Sequence, residues 1–171
     1  MIAEMAEVEA APETGAEKKS LHVLIVDDNS DDAFLLRRYL KKSVWFEAQF
    51  TEACSGKAGL TLLESSSFDC VFLGHRLPGG DSTAWLETLT ARHPLLPIFL
   101  VTRQSNEAIA VEALKKGAWD YLAKNNLSSE MLDSAIESGL KKRARLRALE
   151  EQKHCRGTGE CPHSVGRRCL R

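Results

Sequence analysis

Four stretches of this 171-residue chain place reactive side chains directly after apolar runs. Asp27-Asp28 follows Leu21–Val26, Gly74-His75-Arg76 follows Cys70–Leu73, Thr102-Arg103 follows Ile98–Val101, and Lys124 follows Trp119–Ala123. Carboxylates suit hard cations, and the Arg103 guanidinium is long enough to pair with Asp27 or Asp28. The same groups read equally well as solvated charges in loops that precede helices. A second cluster, His154, Cys155, Cys161, His163 and Cys169, has side chains that zinc favours. Its five-residue gap between Cys155 and Cys161 exceeds ordinary ligand spacing, and Gly157, Gly159, Pro162 and Gly166 interrupt it. Residues 154–171 therefore read as a disordered tail rather than a metal centre.

The elements that must position these groups follow from apolar periodicity. Leu21–Val26, Phe46–Thr51, Cys70–Leu73, Ile98–Val101 and Trp119–Ala123 read as five short strands. Between them lie helical patterns: one opens at Ser30, with Asp31 and Asp32 compensating its dipole and Ala33, Leu36 and Leu40 on its face. The next opens at Ser55 and carries Gly59, Leu60 and Leu63. A third is capped by Asp81 and carries Trp85, Leu86 and Leu89. A fourth holds Ala110, Ala113 and Leu114 and stops at Lys116-Gly117, and a last begins at Ser128. Gly74–Gly80 reads as a loop. Repeated β-α units joined by right-handed crossovers predict a doubly wound parallel sheet with helices on both faces. Ligands of such sheets bind at the carboxyl ends of the strands, where the reactive residues fall.

Composition narrows the class. With 43% hydrophobic and 27% charged residues, the chain can bury a globular core, which excludes a collagenous or disulfide-scaffold protein. No apolar run reaches the length of a membrane span, and the acidic start lacks the basic region of a signal peptide. Cys54 and Cys70 lie in apolar stretches and read as reduced core thiols, so a cytoplasmic protein is expected. Residues 1–19 carry five acidic and two basic side chains and read as a disordered acidic arm. Residues 139–171 carry ten basic and three acidic ones.

Four motifs in register resemble the receiver domain of two-component response regulators. They are Val23-Leu24-Ile25-Val26-Asp27-Asp28-Asn29, Leu77-Pro78-Gly79, Val101-Thr102, and Asp120-Tyr121-Leu122-Ala123-Lys124. The resemblance spans residues 20–140 and implies a flavodoxin-like five-stranded sheet of order 2-1-3-4-5. It also implies roles. Asp27 and Asp28 match the acidic pair that holds Mg²⁺, and Thr102 the hydroxyl that turns towards the phosphoryl group. Lys124 matches the ammonium that pairs with that group, and Tyr121 the switch aromatic.

The chain departs from the family at the position that matters most. Gly74 stands where the phosphoacceptor aspartate belongs, and glycine has no nucleophilic atom to form an acyl phosphate. Its loss also removes one of three expected carboxylates, so Mg²⁺ binding should be weak at most and no cofactor required. His75 reads as a loop histidine. Arg103 replaces a small residue and could cover the pocket, and Lys124-Asn125 replaces a frequent Lys-Pro. These changes suggest a pseudo-receiver: a non-enzymatic signalling module acting through protein–protein contacts without aspartyl phosphorylation. The alternatives are an unorthodox acceptor, Asp27 or Asp28, and nucleic-acid binding through the basic tail. Expected partners are signalling proteins, a histidine kinase or an output protein, meeting the face around Ser105–Leu140; nucleic acid is less favoured because no aromatics interleave the basic residues. Residues 141–153 read as a basic helical extension, with weak homodimerisation through 140–153 expected from Leu146 and Leu149.

Overall fold

Leu21, Val23 and Ile25 face one side of strand β1 (Lys19–Val26), and Leu24 and Val26 face the other. A strand apolar on both faces is stable only inside a sheet covered on both sides. The computed structural model of the chain describes residues 18–104 and 106–158, with side chains as far as Lys153. In it, β1 pairs in parallel with β2 (Phe46–Ala53) and β3 (Cys70–Gly74). β3 pairs with β4 (Ile98–Thr102), and β4 with β5 (Asp120–Ala123). The sheet order is therefore β2-β1-β3-β4-β5, the doubly wound order that the resemblance implies.

Helices α1 (Ser30–Leu40) and α5 (Ser129–Thr158) cover one face, where Leu36, Leu40, Leu132 and Ile136 join Val23, Ile25, Phe72 and Phe99. Helices α2 (Gly56–Ser65), α3 (Ser82–Arg92) and α4 (Glu107–Lys115) cover the other. There Leu63, Leu86, Leu89 and Ala113 join Leu24, Val26, Leu73 and Leu100. Each fully buried leucine contributes about 1.5–3 kcal/mol relative to an exposed one, so the two layers fix the sheet edge that carries the polar residues.

Helix starts are set by polar side chains. Ser55 and Asp81 cap α2 and α3 as expected, accepting from the backbone N–H of Ala58 and Thr83. Asn29 rather than Ser30 caps α1: its side chain accepts from Asp31 N–H at 2.9 Å and its carbonyl from Ala33 N–H. Asn106 caps α4, and the Ser128 hydroxyl accepts from Met131 N–H. Gly117 ends α4 with φ +102°, a conformation that L side chains resist.

Several expectations are corrected. Gly74 belongs to β3, and Arg76–Leu77 pairs with Gly80–Asp81 as a short antiparallel hairpin, so Gly74–Gly80 is not an irregular loop. Cys70 is buried, and burial pushes its thiol pKa well up, but Cys54 lies past the end of β2 and is exposed. α5 runs unbroken to Thr158, crossing the expected boundary at residue 153 because nothing before Gly157 interrupts it. Residues 1–17 of the acidic arm and 159–171 of the tail lie outside the described residues, as do the side chains of His154 and Cys155. Among the described residues no helix is long and apolar enough to cross a membrane.

Candidate functional site

The parallel sheet brings the carboxyl ends of β1, β3, β4 and β5 to one edge, where they frame a cleft of about 290 Å³. Asp27 leaves the end of β1, and its backbone N–H bonds the Ala53 carbonyl of β2 at 3.0 Å. That anchor turns the carboxylate inward, with only 3% of the side chain exposed. Asp27 Oδ1 accepts from Asn29 N–H at 3.0 Å, and Oδ2 accepts from Lys124 Nζ at 2.6 Å. Asp28, one residue on, faces solvent.

Lys124, just past β5, reaches back across the strand ends to a second carboxylate. Its Nζ lies 2.8 Å from Asp32 Oδ2, in the first turn of α1. Asp32 Oδ1 accepts from Arg103 Nη2 at 2.8 Å and from Nε at 3.3 Å. Arg103 thus pairs with Asp32, not with Asp27 or Asp28 as the sequence suggested, because Asp32 is the carboxylate turned towards the end of β4. Burial alone would raise the Asp32 carboxyl, but the hydrogen bonds and charges of Arg103 and Lys124 outweigh it and hold the pKa below the usual value. The same Asp32 bond raises Arg103.

Thr102 is buried, and its hydroxyl accepts from Gln104 N–H at 3.1 Å. The Tyr121 hydroxyl donates to the Gln104 carbonyl and accepts from Asn106 N–H, tying β5 to the connection between β4 and α4. Asn125 Nδ2 donates to the Arg103 carbonyl at 3.3 Å. His75 lines the cleft; its N–H donates to the Val101 carbonyl and its own carbonyl accepts from the buried Ser82 hydroxyl. Its imidazole has no role in the Lys124 network.

Gly74 sits at the centre of this edge. A Cβ there would lie 2.9 Å from Asp27 Oδ2, 3.0 Å from Asp27 Cγ and 3.3 Å from the Val26 carbonyl. Gly74 is not among the positive-φ glycines, so the constraint is space and not backbone conformation. The Asp27 carboxylate crowds the place where a side chain would begin.

As arranged, Asp27 and Asp32 offer a hard divalent cation a poor donor set. Among the described residues no three His, Cys, Asp or Glu side chains converge as metal ligands. Both oxygens of Asp27 and both of Asp32 already accept from protein donors.

The structure brings together Asp27, Lys124, Thr102 and Arg103, and leaves Asp28 at the exposed rim. The residue that sequence reasoning missed is Asp32. Its signal was present: Asp32, Leu36 and Leu40 recur at four-residue spacing, so the buried stripe of α1 begins with a carboxylate.

These features define a five-stranded doubly wound domain whose polar centre lies at the strand ends. The profile described as "Response regulator receiver domain" matches residues 23–137, and the chain belongs to that family. It is 35% identical over 102 residues to the DNA-binding transcriptional regulator NtrC of Salmonella typhimurium, covering 60% of this chain and 21% of that protein. It is 32% identical over 121 residues to the transcriptional regulatory protein ZraR of Escherichia coli, covering 71% of this chain and 26% of that protein. The chain thus spans about a fifth to a quarter of the length of these curated relatives. Among solved structures, NtrX from Brucella abortus in complex with ADP superposes with TM-score 0.70 at 22% identity, over 85% of this chain and 31% of that one. A putative response regulator from Chloroflexus aurantiacus superposes with TM-score 0.65 at 26% identity, over 72% and 99%.

Proposed function

We propose that this receiver domain signals through protein–protein contact without aspartyl phosphorylation. One observation carries the reading: the acceptor position is Gly74, and the Asp27 carboxylate crowds the space its side chain would need. The Asp27 carboxylate supports it. Asp27 has both oxygens engaged, which argues against its serving as a substitute acceptor. Mg²⁺, if it binds at all, does so weakly, and no cofactor is required.

The partner is a signalling protein, either a histidine kinase or an output protein, and the module is cytoplasmic and not an enzyme. The proposed contact face is α4, β5 and the first half of α5. On it Val111 and Leu114 are each about half exposed (50% and 49%), apolar side chains that a partner could cover. The α5 extension, residues 140–153, offers a second contact through Leu149, which is 53% exposed.

The test is a backbone amide spectrum recorded with and without acetyl phosphate and Mg²⁺. The reading expects Thr102, Gln104 and Tyr121 to keep their resonances. Concerted shifts at those three residues would show that phosphorylation still drives the switch.

A further inference from the structure

We infer that Lys124 is the resident cation of this site, taking the electrostatic place that a divalent metal holds in receivers with a full acidic set. The inference goes beyond the phosphorylation-independent reading and rests on it only through Gly74. Two carboxylates, Asp27 and Asp32, meet two cations, Lys124 and Arg103. Asp28 stays solvated at the rim of a cleft that Arg76 also lines.

Burial makes the ammonium necessary. The side chains of Asp27, Asp32 and Lys124 are 3%, 10% and 8% exposed, so two carboxylates would face each other largely out of water without it. Buried like charges repel, and an ammonium shared between them at 2.6 and 2.8 Å offsets that repulsion. A metal drawn to Asp27 would bring its charge against the Lys124 ammonium already held at Oδ2. Gly74 would offer it no side-chain oxygen in return.

The consequence is conformational. Lys124 opens the short turn Lys124–Asn126 that leads into α5, and Arg103 begins the connection to α4. Both are tied to Asp32 on α1. The strand ends that border the contact face are therefore held by the chain's own cations, independently of metal.

The test is thermal unfolding of the full chain and of Lys124→Gln, each in chelator and in millimolar Mg²⁺ or Mn²⁺. The wild type should unfold at the same temperature in all three. Lys124→Gln should unfold lower in chelator and recover several degrees with metal, because the freed carboxylates then bind it in the folded state. A wild type stabilised by Mg²⁺ as strongly as the variant would overturn the inference, as would a variant as stable as wild type in chelator. Should Lys124→Gln fail to fold, a Mg²⁺ titration of the wild-type amide spectrum decides. No saturable shift at Asp27, Asp28 or His75 is expected, and such a shift would be contrary. Metal binding without phosphoryl transfer would sink this inference and leave the signalling reading intact; phosphoryl transfer with no metal-dependent change in unfolding temperature would sink the signalling reading alone.

Discussion

Gly74 and Asp27 share one space: a Cβ on the glycine would stand 2.9 Å from the aspartate's Oδ2. That oxygen is also the one Lys124 holds at 2.6 Å. The missing side chain and the inward carboxylate are thus one arrangement, and restoring the first must displace the second.

Gly74→Ala should therefore destabilise the fold by about 1–3 kcal/mol, the usual cost of forcing atoms into a packed site. Urea unfolding measures it. A neutral or stabilising outcome would mean that Asp27 rotates away freely and that its pairing with Lys124 is weak.

Asp32→Asn should cost about 1.5–3 kcal/mol, because it weakens charge-assisted bonds to both Lys124 and Arg103. The pH dependence has a definite sign. Asp32 is lowered in the folded state, so its contribution is fully present above the ordinary carboxylate pKa and is lost as pH falls through the depressed folded value. Stability profiles of wild type and Asp32→Asn should converge below about pH 4. Parallel profiles down to the acid limb would contradict the ion-pair account.

Asp133 behaves oppositely. Burial raises its carboxyl despite a hydrogen bond to Ser43, and its Oδ1 is buried without a partner. The ionised form therefore penalises the folded state at neutral pH, and the penalty lifts as pH falls through the raised folded pKa. Asp133→Asn should stabilise the protein by about 1 kcal/mol at neutral pH, with the gain vanishing in acid. Differential scanning calorimetry across pH reads both the size and the sign.

Removing residues after Leu140 should shift sedimentation towards a smaller species if the exposed Leu149 mediates self-association. Secondary structure should be retained, since Leu132 and Ile136 anchor α5 upstream of the cut. Unchanged sedimentation would assign residues 141–153 to a solvated helical face.

Much of the fold was legible because its signals are local. Val23–Val26 is apolar on both faces, as an inner strand requires, and Ser55, Asp81 and Gly117 mark helix ends by capping chemistry. Gly74 was recognisable because the motifs on either side fix its register. Asp32 was not, because an acidic residue in a first helical turn reads as dipole compensation. Only the crossing of Lys124 over the strand ends shows what it pairs with. Arg103 was expected to face the acidic edge, but its partner depends on which of several carboxylates turns inward, a matter of tertiary packing. Cys54 was misplaced for a related reason: a short apolar stretch does not reveal which residue falls just past the packed layer.

The central claim is that the acceptor position is chemically silent, and intact mass after incubation with acetyl phosphate and Mg²⁺ tests it most directly. Wild type should show no labile phosphoryl adduct. Gly74→Asp, alone or with Arg103→Ala to open the cleft, should gain one that hydroxylamine removes. A wild type phosphorylated as readily as both variants would contradict the account.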